Sequence, residues 1–145
     1  KARGFGGYPA PPIPPVGECK QTAVAGACRI LAAFPGRVRE VYCIRDCPCP
    51  GTSDHCCGMA TDFMCSDEAN LATFSGKEIA EWTMRHRAAL NLKYVIWGQR
   101  IWNPSIDTRE KPWEEWRTMN DRGNVTHNHW DHVHVSYNET VEGAR

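Results

Sequence analysis

The sequence predicts an α+β domain: a small antiparallel or mixed sheet flanked by helices, with its N-terminal half stapled by disulfides. Three observations lead there. Helical stretches come before and between short β-rich runs that read as antiparallel or mixed. All eight cysteines fall between Cys19 and Cys65. At 145 residues, the chain is a single domain long enough to bury a genuine core.

The elements follow in order. Residues 1–16 are crowded with Gly and Pro, which favour extended backbone and form neither ladder nor helix. They read as an arm or linker remnant ahead of one domain, 17–145. A polyproline ligand for a partner is the sharper but weaker reading. Lys20 to Phe34 is Ala-rich and halts at Pro35-Gly36, a helix with a firm stop. Val38 to Ile44 is β-rich and reads as a strand. A loop of Cys, Pro and Gly from Arg45 to Asp54 then delivers His55, and Met59 to Met64 forms a second strand carrying Asp62. Ser75-Gly76-Lys77-Glu78 reads as a capping box opening a helix from Ile79 to about Leu90, with Ile79, Trp82, His86 and Ala89 at helical spacing. Tyr94 to Trp97 is a further strand, followed by a polar, Trp-rich connection from Asn103 to Asn128. The last strand, about His132 to Tyr137, carries two histidines on alternate residues.

Charge and cysteine usage narrow the function. With 17 basic and 17 acidic residues the formal charge is zero, so no basic field draws in nucleic acid. No apolar run approaches the roughly 20 residues of a membrane span, so no membrane is expected either. A chain opening at Lys1 without an apolar leader reads as a processed mature form. Eight cysteines in one half predict up to four disulfides and a secreted protein. The rival, a structural zinc cluster around Cys47-Pro48-Cys49 and Cys56-Cys57, lacks paired C-x-x-C spacing. The sequons at Asn124 and Asn138 permit N-glycosylation.

The chemistry concentrates in two segments. His55 stands at the exit of a loop and Asp62 lies six intervening residues on, so a turn of chain brings both to one point. His132 and His134 share one face of a strand. Two imidazoles and a carboxylate with one open position suit catalytic zinc. Only one of the two strand histidines need bind, leaving the other to orient substrate or support an oxyanion. Asp131 is the candidate general base, provided it sits at the irregular start of the strand, since strict alternation points it away from His134. Asp62 amid apolar neighbours needs a partner, either a metal or Arg45. His86 and His127 read as ordinary surface or capped residues.

These residues resemble a known family, the LAS metallopeptidases: D-Ala-D-Ala carboxypeptidases, murein endopeptidases and the zinc-binding hedgehog signalling domain. The segments Ser53 to Phe63, Tyr94 to Trp102 and Asp121 to Ser136 resemble a secreted fungal and actinobacterial branch. The likeness covers about residues 20–137. It implies the LAS fold, zinc held by His55, Asp62 and His134, Asp131 as base and His132 assisting at the transition state. It further implies Arg45 and Ser53 near the substrate carboxylate, with Gln99 in the pocket. The function implied is a secreted, monomeric zinc peptidase cutting bacterial peptidoglycan peptides, in stem or cross-link. Exposed members of Trp97, Trp102, Trp113 and Trp116 would line a glycan-facing groove, Trp97 itself being read as core. Cys56-Cys57 departs from the bacterial pattern. A non-catalytic zinc-binding effector domain is the second reading. A nuclease is the third, on His127-Asn128-His129.

Overall fold

The computed structural model describes residues 4–138. It is α+β, with one six-stranded sheet in which every neighbouring pair is antiparallel. The strands are β1 (Glu40–Tyr42), β2 (Ala60–Met64), β3 (Leu92–Trp97), β4 (Arg100–Trp102), β5 (Arg117–Thr118) and β6 (His132–Tyr137), in the order β1-β2-β6-β3-β4-β5. The helices are α1 (Gln21–Ala33), α2 (Gly76–Arg85) and α3 (Arg87–Leu90). Short 3-10 turns occupy Asp54–Cys57 and Trp113–Glu115.

β6 is the key strand because it lies between β2 and β3 and every one of its residues is buried. Its His-Val-His-Val-Ser-Tyr alternation divides the sheet into two faces. Val133, Val135 and Tyr137 join Phe63 of β2 and Val95 and Trp97 of β3 in the core with Ile30 of α1 and Ile79 and Met84 of α2. Asp62, His132, His134 and Ser136 take the other face. α1 approaches β6 closely at Gly26, where a Cβ would fall 2.7 Å from Tyr137 Cζ and Oη. A type I′ turn joins β3 to β4, with Gly98 and Gln99 at φ 61° and 66°.

Several expectations need correction. Ser75 makes no side-chain cap: its hydroxyl donates to Cys65 O, while Glu78 pairs with Arg37. The helix breaks at His86, and its buried face is Ile79, Ala80, Thr83 and Met84, because the sheet lies on that side. His86 is exposed and stacks on Trp82. Trp97, Trp102, Trp113 and Trp116 are all buried, so none of them lines a groove. The cysteines form three disulfides, Cys19–Cys43, Cys47–Cys56 and Cys49–Cys57, leaving exposed Cys28 and buried Cys65 as thiols. Residues 4–16 are irregular as expected, yet they lie against the body. Tyr8 is buried, its amide donates to Gly36 O, and its hydroxyl donates to the Asp67 carboxylate.

Candidate metal centre

Strand pairing assembles two of the three expected ligands. Asp62 and His134 face each other directly across the β2–β6 ladder, which puts their side chains on the same face about 5 Å apart at Cβ. The third comes from the loop: the 3-10 turn Asp54–Cys57 presents His55, and the bridges Cys47–Cys56 and Cys49–Cys57 tie the preceding loop to that turn. Ser53 starts the turn, its Oγ accepting from the His55 amide at 3.2 Å. Ligand atoms of His55, Asp62 and His134 all lie within 4.8 Å of one another.

The hydrogen bonds around His55 fix its tautomer. Nδ1 lies 2.7 Å from the carbonyl of Cys43, which can only accept, so Nδ1 carries the proton. Nε2 of the neutral ring is therefore bare. It is buried and 3.1 Å from Asp62 Oδ2, without the geometry of a hydrogen bond. His134 Nδ1 lies 3.0 Å from Asp62 Oδ1, and its Nε2 bonds Ser136 Oγ at 2.8 Å. Tetrahedral zinc with ligands at about 2.0–2.1 Å separates them by about 3.3 Å, close to both distances. The contact of His55 Nε2 with the Asp62 carboxylate calls for positive charge between the ring and the carboxylate, supplied by a proton on Nε2 or by a metal ion, and two imidazoles with one carboxylate are a donor set that fits zinc. Burial works against charge on both groups, yet the histidines around Asp62, His134 first and then His55, and the Asp62 carboxylate and Cys43 carbonyl beside His55 outweigh it. Asp62 is held well below the usual carboxylate range, and His55 is raised above the usual imidazole range.

Asp131 sits just ahead of β6, at the irregular start that the base role demanded, but its carboxylate is fully buried and engaged. Oδ1 accepts from His132 Nδ1 at 2.6 Å; Oδ2 accepts from the Asn70 amide at 2.8 Å and the Thr126 hydroxyl at 2.6 Å. Burial would raise its pKa, but these donors hold it down at about 2. Asp131 therefore orients His132, whose Nε2 lies on the cleft side, 3.8 Å from Asp62 Oδ1.

The site opens into a cleft of about 580 Å³. Arg45, Ser53, Arg122, Thr126 and His127 are among the residues that line it. Neither arginine has an ion pair among the described residues, and Arg45 does not reach Asp62. Gln99 does not line the cleft: at the hairpin tip its side chain donates to Met119 O. Sequence reasoning gave Tyr94 no site role and His129 one only in the nuclease reading. The Tyr94 ring stacks on His134 at 5.5 Å. His129, at φ 61°, is buried with its ring 4.7 Å from His132. Burial and the neighbouring imidazoles push its pKa down to about 3. The density of histidines from His127 to His134 was the signal available for it.

Residues 15–130 match the family described as the VldE C-terminal domain, which is most of the chain. The chain belongs to that family. The VldE C-terminal domain match includes His55 and Asp62 and stops one residue before Asp131. An uncharacterized secreted protein of Arthroderma benhamiae is 57% identical over 90% of the chain, which spans 58% of that relative's length. No solved structure matches. The protein is secreted, and none of the described helices is long and apolar enough to cross a membrane.

Proposed function

We propose that the protein is a secreted zinc-dependent peptidase of LAS type that hydrolyses peptide bonds of bacterial peptidoglycan, in stem peptide or cross-link. The observation that carries this reading is the bare, buried Nε2 of His55 facing the Asp62 carboxylate, whose other oxygen faces His134. His55, Asp62 and His134 would hold the ion. When bound, zinc supplies Lewis acidity and an acidified water at neutral pH. The remaining work belongs to the chain. Asp131 fixes the ring of His132 and keeps Nε2 toward the cleft, where it exchanges a proton with the reacting amide. Arg45 and Arg122 give the cleft walls a positive character that suits the carboxylates of stem peptides.

The second reading, a non-catalytic zinc-binding effector domain, draws on one observation: Asp131 has no free oxygen to serve as a base beside the ion. Purified peptidoglycan separates the two. Zinc-loaded protein releases new amino groups, with fragments identified by mass spectrometry; Asp62→Asn loses zinc, and His132→Ala keeps zinc but loses hydrolysis. Zinc binding without amino-group release by the wild type would leave the effector reading. No zinc binding at all would sink both.

A further inference from the structure

Asp131 reaches outside its own loop for support. Asn70, in the connection between β2 and α2, donates its amide to Asp131 Oδ2 across 61 positions of sequence. The same residue's Oδ1 accepts from the Thr126 amide at 3.3 Å and lies 2.9 Å from the Thr126 hydroxyl. A hydroxyl has one proton, and the ionised carboxylate at 2.6 Å is the stronger acceptor, so the Thr126 hydroxyl donates to Asp131 and its amide to Asn70. Asn70, Thr126 and Asp131 thus form a closed triangle. Its corner at Asn70 requires φ 65°, a left-handed conformation that asparagine tolerates better than most side chains.

The consequence falls on His132. With Oδ2 saturated by two donors, only Oδ1 is left for the imidazole, and Nδ1–H meets it at 2.6 Å. An acceptor-only carboxylate holds a proton on Nδ1 and turns Nε2 toward the cleft, so that in the neutral ring Nε2 carries the lone pair. We propose that Asn70 is a positioning residue: through Asp131 it sets the tautomer and ring orientation of His132 without touching the metal ligands. The proposal rests on reading the histidine cleft as the working site, but its primary test needs no turnover.

The experiment is proton–nitrogen NMR of the imidazoles in zinc-loaded protein carrying labelled histidine. Wild type gives a downfield, slowly exchanging Nδ1 proton for His132. Asn70→Gly tolerates the left-handed backbone and keeps its amide, but removes the side chain that braces Thr126. The expected result is an increase of about tenfold or more in exchange of the His132 Nδ1 proton, with zinc affinity by chelator competition within about twofold of wild type. Should Asn70→Gly lose its native fold, the near-isosteric Thr126→Val removes the other donor to Oδ2 and is expected to give the same change. An unchanged His132 proton in the folded variant overturns the proposal, as does a parallel loss of zinc affinity, which would make Asn70 a general support of the fold. If wild type proves inactive on peptidoglycan, the peptidase reading fails while the NMR result still decides the role of Asn70.

Discussion

Replacing Gly26 by alanine sets helix propensity against packing, and the structure decides the sign. Gly26 is buried in α1, where alanine is favoured over glycine by about 1 kcal/mol. The added Cβ would stand 2.7 Å from Tyr137 Cζ and Oη, whereas carbon atoms rest at about 3.5–4.0 Å. Something must move by about 1 Å. The tyrosine cannot do so freely, since its side chain is fully buried and its hydroxyl is bonded to Thr61 Oγ1 at 2.8 Å. Overpacking costs about 1–3 kcal/mol, and loosening that hydrogen bond adds about 1. The net is a destabilisation of about 1–3 kcal/mol, or a fall in Tm of about 3–10 °C for a chain of this size. A thermal melt followed by circular dichroism measures it. A Tm equal to or above wild type would refute the reasoning, because it would mean that α1 does not pack on Tyr137 at this distance.

Three further outcomes are expected. Thiol titration should find one reactive group in the native protein and a second on denaturation, since Cys28 is exposed while Cys65 is buried and its thiol is pushed up to about 12 by burial. Asp107 is buried, which opposes its charge, but Arg117, the Asn103 amide and Lys111 hold its carboxyl below the usual range. Because the folded value is the lower one, this stabilisation is present above the ordinary aspartate range and is lost as pH falls through the folded value. Urea midpoints should therefore place Asp107→Asn about 1–3 kcal/mol below wild type near pH 7, with the gap closing below about pH 4. Removing the Cys49–Cys57 bridge by a Cys49→Ser, Cys57→Ser double substitution frees the turn that carries His55 while leaving the Asp62–His134 pair in the ladder. Zinc affinity should fall about 10–100-fold; an unchanged affinity would show that the turn holds His55 without that bridge.

The legible parts of the sequence were those with a strict local period. α1 and β6 lie within a residue or so of where composition and alternation put them. Residue type leaves His132 and His134 both open as the partner of Asp62; the family resemblance selects His134, and the ladder register supplies the geometry. The parts that stayed hidden depend on long-range partners. Ser75 and Glu78 have the spacing of a capping box, but Cys65 and Arg37 compete for their side chains. The helix turns Ile79 and Met84 inward because the sheet lies on that side, a choice that a short amphipathic segment does not encode alone. Asp131 lay in a recognisable motif, yet its partner Asn70 stands in a loop of no distinctive composition. The family resemblance implies a pocket role for Gln99, whereas its left-handed backbone makes it a turn residue.

β6 lies near the end of the described chain but in the middle of the sheet. Until residues 132–137 have been made, β2 and β3 have no common neighbour, and each presents an open edge. Insertion of β6 joins the two halves of the sheet, completes the core through Val133, Val135 and Tyr137, and brings His134 opposite Asp62 in a single event. Long-range closure of this kind is slow and leaves strand edges exposed meanwhile. The order of synthesis thus makes the set of His55, Asp62 and His134 wait for the strand that joins the two halves of the sheet.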